Sequence, residues 1–133
     1  MILVDSSVWI DFFRGNKSSQ VSVLRLLIEE GQDVCTCGIV LAEVLQGIRD
    51  DKIFEKTKQY FENLIYLPES RDTFVNAACM YRGLRKRGFT VRKPVDCMIA
   101  AVSVFHDALL LHSDRDFLPI QKHFGLKVVD ISS

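Results

Sequence analysis

Five carboxylates fall where a folded sheet would present one edge: Asp5, Glu43, Asp96, Asp114 and Asp116. Asp5 directly follows the apolar run Met1–Val4, and Asp114 and Asp116 follow the run Ala108–Leu111 within His112-Ser113-Asp114-Arg115-Asp116-Phe117. Glu43 lies in the segment after Asp33–Thr36, and Asp96 lies in the first turn begun by Pro94. In an open parallel sheet, ligands bind where the carboxyl ends of strands meet the helix starts. Two carboxylates about 4 Å apart repel by about 4 kcal/mol at an effective dielectric of about 20. Several at one edge therefore call for a cation, and carboxylate oxygens with water suit Mg²⁺ or Mn²⁺. An ion so held can acidify a bound water and offset negative charge on a ligand.

Each acid also has a purely structural reading. Asp5, Asp96 and Asp114 sit where an aspartate would cap a helix or favour its positive end. Glu43 lies opposite the stripe Leu41, Val44, Leu45 and Ile48, which suits a solvent-facing side chain as well as a cleft-facing one. Ser6 could hydrogen-bond a ligand carboxylate or, with Ser7, only cap a helix. No Ser/His/Asp triad is apparent, and His106, His112 and His123 share no spacing with the acids, so they are read as structural. Cys35 and Cys37 form C-x-C rather than C-x-x-C, which leaves four reduced packing thiols as the expectation, with Cys79 and Cys97.

The elements that must position these residues follow from periodicity. Met1–Val4, Asp33–Thr36, Ile65–Leu67, Ala108–Leu111 and Leu126–Ile131 read as strands. Helices are expected through Val8 to near Gly15, from Ser18/Ser19 to Gly31, over Ile39–Arg49, Asp51–Leu64 and Ser70–Lys86, from Pro94 to Phe105, and over Asp114–His123. Continuous apolar strands suit a sheet covered on both faces. One three-layer α/β/α domain over residues 1–133 is expected, with a central, mostly parallel sheet of four to five strands.

A net charge of zero gives the chain no overall field toward nucleic acid. Between Thr73 and Val95, however, there is no acid, while Arg82, Arg85, Lys86, Arg87, Arg92 and Lys93 supply a local basic surface. That segment could track a phosphate backbone, or be a solvated helix end. Trp9, Phe12 and Phe13 read as core or interface. No run reads as a signal peptide or membrane span, so a cytoplasmic protein without membrane contact is expected.

The opening Ile2-Leu-Val-Asp5-Ser6-Ser7-Val-Trp-Ile-Asp11 resembles the start of PIN domains. Gly38-Ile-Val-Leu-Ala-Glu43-Val-Leu-Gln-Gly47 resembles their second motif, Pro94-Val-Asp96-Cys-Met-Ile-Ala-Ala101 their D-x-x-I-A-A motif, and His112–Phe117 their D-x-D-F ending. The four stand in order across nearly the whole chain, and Phe13-Arg14-Gly15 with the compact length is most similar to the VapC branch. The departures are Ser6 where threonine is common and His112-Ser113 where Thr-Arg is common.

The resemblance implies a toxin of a type II toxin–antitoxin system, a Mg²⁺- or Mn²⁺-dependent endoribonuclease. Asp5, Glu43, Asp96 and Asp114 or Asp116 would be its catalytic and metal-holding acids, and Ser6 and Ser113 would support them. It implies tRNA or another structured RNA as substrate. It also implies a VapB-type antitoxin partner and a homodimer, assembling with antitoxin into a heterotetramer or larger complex. A PIN-like binding module without activity is the alternative, against which the complete set of acids stands. A phosphoryl-accepting receiver domain would carry paired acids after its first strand, and a haloacid-dehalogenase-type phosphatase D-x-D; Asp5-Ser6-Ser7 fits neither.

Overall fold

The computed structural model describes residues 1–131, and β1 (Ile2–Val4) lies at the centre of its sheet. It pairs in parallel with β2 (Val34–Thr36) on one side and β4 (Leu109–Leu111) on the other. The two-residue β3 (Ile65–Tyr66) joins β2, giving the order β3-β2-β1-β4. Leu3, Val4 and Leu110 are fully buried, as continuous apolar strands between helical layers must be. The exposed Ile65 and Tyr66 belong to an edge strand.

The connecting helices are α1 (Ser6–Arg14), α2 (Ser19–Glu29), α3 (Gly38–Gln46), α4 (Asp51–Glu62), α5 (Arg71–Lys86), α6 (Pro94–Phe105) and α7 (Leu118–Phe124). A 3-10 turn, Arg115–Phe117, leads into α7. Helices and parallel sheet together form the three-layer α/β/α arrangement of a single core.

Packing fixes the two helices nearest the acids. The fully buried Trp9 indole of α1 meets the rings of Phe12, Phe13, Tyr60 and Phe61 at centroid distances of 5.1–5.9 Å, which ties α1 to α4. Gly15 ends α1 in the left-handed conformation at φ 73°, which costs a glycine nothing.

The start of α3 is held from a distance. Its Cys37 cap position offers no side-chain bond; instead Glu69 Oε2 accepts the Ile39 N–H at 2.9 Å, and Tyr66 donates to Glu69 Oε1 at 3.0 Å. A β-carbon at Gly38 would lie 2.8 Å from the Tyr66 hydroxyl, so a larger residue there would push the Tyr66 and Glu69 side-chain ends aside.

Two expectations change. Leu126–Ile131 forms no full strand: only Val128 bridges Leu110. Beyond buried Leu126 the segment is half-buried or exposed, so it lies along the sheet edge without both faces covered. Of the four free thiols, Cys35, Cys37 and Cys97 are buried but Cys79 is exposed and is not a packing thiol. Burial pushes the Cys37 and Cys97 thiols up to about 11, which keeps them protonated and unreactive.

Candidate active site

The site opens where the chain reverses direction across the sheet. From β1 the chain moves toward β2, whereas β4 lies on the opposite side, leaving a crevice at the carboxyl ends of β1 and β4. The Asp5 N–H donates to the Leu111 carbonyl at 2.9 Å, carrying the strand pairing to the lip of that crevice. Asp5 enters from β1, Asp114 and Asp116 from the segment after β4, and Asp96 from the first turn of α6.

Carboxylate oxygens of Asp96, Asp114 and Asp116 all lie within 4.8 Å of one another. Asp96 is 5 % exposed, and its Oδ2 and that of Asp116 are buried without a hydrogen-bond partner. An orphaned buried carboxylate oxygen costs free energy unless a cation meets it. Burial pushes the Asp96 carboxyl up to about 7, aided by the charges of Asp5, Asp114 and Asp116 and opposed by Lys93. Asp114 behaves oppositely. Burial works against its charge, but hydrogen bonds from Lys93 and from the Asp116 N–H outweigh it and hold Asp114 below the ordinary carboxylate range.

The hydroxyls after β1 attend to acids rather than to helix ends. Asp5 occupies the N-cap position of α1, yet its side chain makes no capping bond; its Oδ2 accepts the Ser7 hydroxyl at 2.5 Å. Ser6 donates to Glu43 Oε1 at 2.9 Å, and Ser7 lies 3.4 Å from the Ser113 hydroxyl. Asp5 and Glu43 both stand outside the tight group of three, Asp5 as a nearby charge on Asp96 and Glu43 joined through Ser6. Asp114 does cap, accepting the Asp116 N–H at 2.9 Å as the 3-10 turn begins.

His112 serves the scaffold. Its Nδ1 accepts the Asp114 N–H at 3.1 Å and its ring packs 4.7 Å from Phe117; burial lowers its pKa, against the nearby charges of Asp5 and Asp114.

The basic segment divides in two. Arg92 pairs with Asp116 at 2.8 Å, while Lys93 bonds Asp114 and lies 3.7 Å from Asp96 Oδ2. These two cations answer the acids directly. Lys93 could have been suspected from its place three residues before Asp96 across a proline; Arg92 reaches Asp116 only through the fold. Arg82, Arg85, Lys86 and Arg87 stay on the last turns of α5. There Arg85 lies over Tyr81, and Arg87 bonds the Gly83 carbonyl and lies over Phe124. Glu69, which secures the helix bearing Glu43, gave no local signal. A groove of about 510 Å³ lined by Gln20, His112, Ser113, Asp114, Arg115 and Gln121 reaches the site at Asp114.

A parallel sheet with a carboxylate cluster at its switch point defines a class of α/β proteins whose hard-oxygen donors fit Mg²⁺ or Mn²⁺. Residues 2–122 match the PIN domain family, and the chain belongs to it. It is similar to Ribonuclease VapC11 of Mycobacterium tuberculosis, with 38 % identity over 119 residues, 88 % of this chain and 89 % of that protein. It also resembles Ribonuclease VapC1 of Methanocaldococcus jannaschii, with 30 % identity over 132 residues, 97 % and 87 % of the two chains. VapBC2 from Rickettsia felis, solved bound to a DNA fragment from its promoter, shares the fold. Its TM-score is 0.75 at 17 % identity, covering 97 % of this chain and 98 % of that one. No helix among the described residues is long and apolar enough to cross a membrane.

Proposed function

We propose that this chain is the toxin of a toxin–antitoxin pair, an endoribonuclease that hydrolyses RNA phosphodiester bonds with Mg²⁺ or Mn²⁺. The observation that carries this reading is the group Asp96, Asp114 and Asp116, faced by Asp5 and containing two buried carboxylate oxygens without hydrogen-bond partners. The kinship with proteins named VapC ribonucleases supports RNA as substrate. The fold shared with VapBC complexes supports a VapB-type antitoxin as partner.

In this reading Asp5, Asp96, Asp114 and Asp116 hold the cation, with Glu43 at the margin. A bound Mg²⁺ or Mn²⁺ supplies positive charge against the phosphate oxygens and acidifies a water. Ser7 fixes the Asp5 carboxylate and Ser6 fixes Glu43, so the acids keep their orientation as charge changes in the pocket. Ser113, beside Ser7, completes the hydroxyl rim. The groove along Gln20, Arg115 and Gln121 gives a strand room to lie beside Asp114. Arg92 and Lys93 can meet phosphate at its edge, and Arg82, Arg85, Lys86 and Arg87 extend the basic track along α5. Structured RNA such as tRNA, a homodimer, and a heterotetramer or larger assembly with antitoxin belong to the same proposal.

Sequencing RNA fragments after induction of the wild type and of Asp5→Asn in cells tests the activity and identifies the target. Discrete new RNA ends in the wild type that vanish in Asp5→Asn are expected. Identical fragment profiles in the two strains would overturn the proposal.

A further inference from the structure

Lys93 differs from every other basic residue of the segment in what its ammonium touches. It bonds Asp114 and lies 3.7 Å from Asp96 Oδ2, the buried oxygen that lacks a hydrogen bond. These are two of the three carboxylates close enough to share one ion. The backbone delivers the lysine there. Lys93 holds the N-cap position of α6 in an extended conformation, φ −127° and ψ 97°, as the residue before a proline prefers. Its carbonyl accepts the Asp96 N–H at 3.0 Å, so lysine and aspartate spring from the same helix start. Arg92, one residue earlier, takes Asp116 instead. The Lys93 side chain is 50 % exposed, so the ammonium can leave the pocket without disturbing the core.

We propose that Lys93 is an internal counter-cation seated between Asp96 and Asp114, which a divalent ion must displace to bind. The inference rests on the metal reading of this site and adds a competitor within the chain itself. An ammonium and a divalent ion cannot occupy the same pair of oxygens, and like charges so close repel strongly. The lysine therefore keeps the acids neutralised when no ion is bound, and lowers ion affinity by the fraction of time it occupies the pocket. Displaced, its ammonium lies at the edge of the groove beside Asp114, where an RNA phosphate would pass.

Calorimetric titration of the full chain with Mn²⁺ tests this. Lys93→Met is expected to bind Mn²⁺ about tenfold more tightly than the wild type, as when an occupant that closes most of the sites is removed. Its melting temperature without ion should fall, and the gain on adding Mn²⁺ should exceed that of the wild type. Arg87→Met removes an equal charge outside the cluster, and its affinity should stay within about twofold of the wild type. Lys93→Arg keeps the charge and should bind no more tightly than the wild type. Where methionine weakens the fold, Lys93→Gln is read in its place, with the same direction expected.

If the wild type binds Mn²⁺ but Lys93→Met binds no more tightly, or Arg87→Met gains as much, the counter-cation role is overturned and the metal site stands. Absence of Mn²⁺ binding by both proteins overturns the two readings together.

Discussion

Helix starts in this protein do two different jobs. At the periphery, Ser18, Asp50 and Ser70 each accept a backbone N–H at the head of α2, α4 and α5, and Ser70 adds a reciprocal capping box with Thr73. At the sheet edge, α1 and α6 begin with Asp5 and Lys93, and neither side chain caps. Asp5 takes a hydroxyl, and Lys93 turns to Asp114 and Asp96. The peripheral starts satisfy the backbone and stabilise their helices. The two at the crevice leave polar groups facing one another, an arrangement that favours ligand chemistry over stability.

Substitutions can break this contrast. The largest effect is expected from Asp96→Asn, which keeps the shape of the side chain but removes a buried charge. RNA cleavage should drop by on the order of a hundredfold or more while the melting temperature holds or rises. A drop in melting temperature matching the loss of activity would place Asp96 among the structural acids. Ser6→Ala removes the hydroxyl that donates to Glu43; a loss of about tenfold in cleavage with little change in stability is expected. Ser70→Ala sharpens the other side. Denaturant unfolding should show a loss of about 1 kcal/mol, with cleavage per folded molecule unchanged.

A separate effect lies in pH. The Asp96 carboxyl rises from its ordinary 3.8 to about 7 in the fold, so the folded chain holds a proton that the unfolded chain releases. The stability this contributes is complete below about 4 and is lost as pH climbs through about 7. Melting of the ion-free protein should therefore fall across that window, and Asp96→Asn should flatten the fall. Asp114, held low, contributes in the opposite sense and only at more acidic pH.

The fold was legible where physics is local. Continuous apolar runs around Leu3, Cys35 and Leu110 marked buried parallel strands, and Gly15 and Pro94 marked helix ends. The acids after those strands could be located, but Asp5 at a helix start looks identical whether it caps or not. That choice is decided by Ser7, Leu111 and the acids across the crevice. Long-range partners left no trace: Glu69 caps α3 from thirty residues away, and Tyr66 and Glu69 close over Gly38. The segment after Leu126 misled because its apolar residues meet only an edge. Lys93 read as part of a basic run because Asp114, the acid it bonds, arrives from the segment after β4, although Asp96 stands only three residues away.

The central claim is that these acids hold a divalent ion at the β1–β4 edge. Anomalous diffraction from crystals soaked in Mn²⁺ tests it most directly. A peak bounded by Asp5, Asp96 and Asp114 or Asp116 is the expected result. A peak elsewhere, or none among these carboxylates at saturating Mn²⁺, would contradict it.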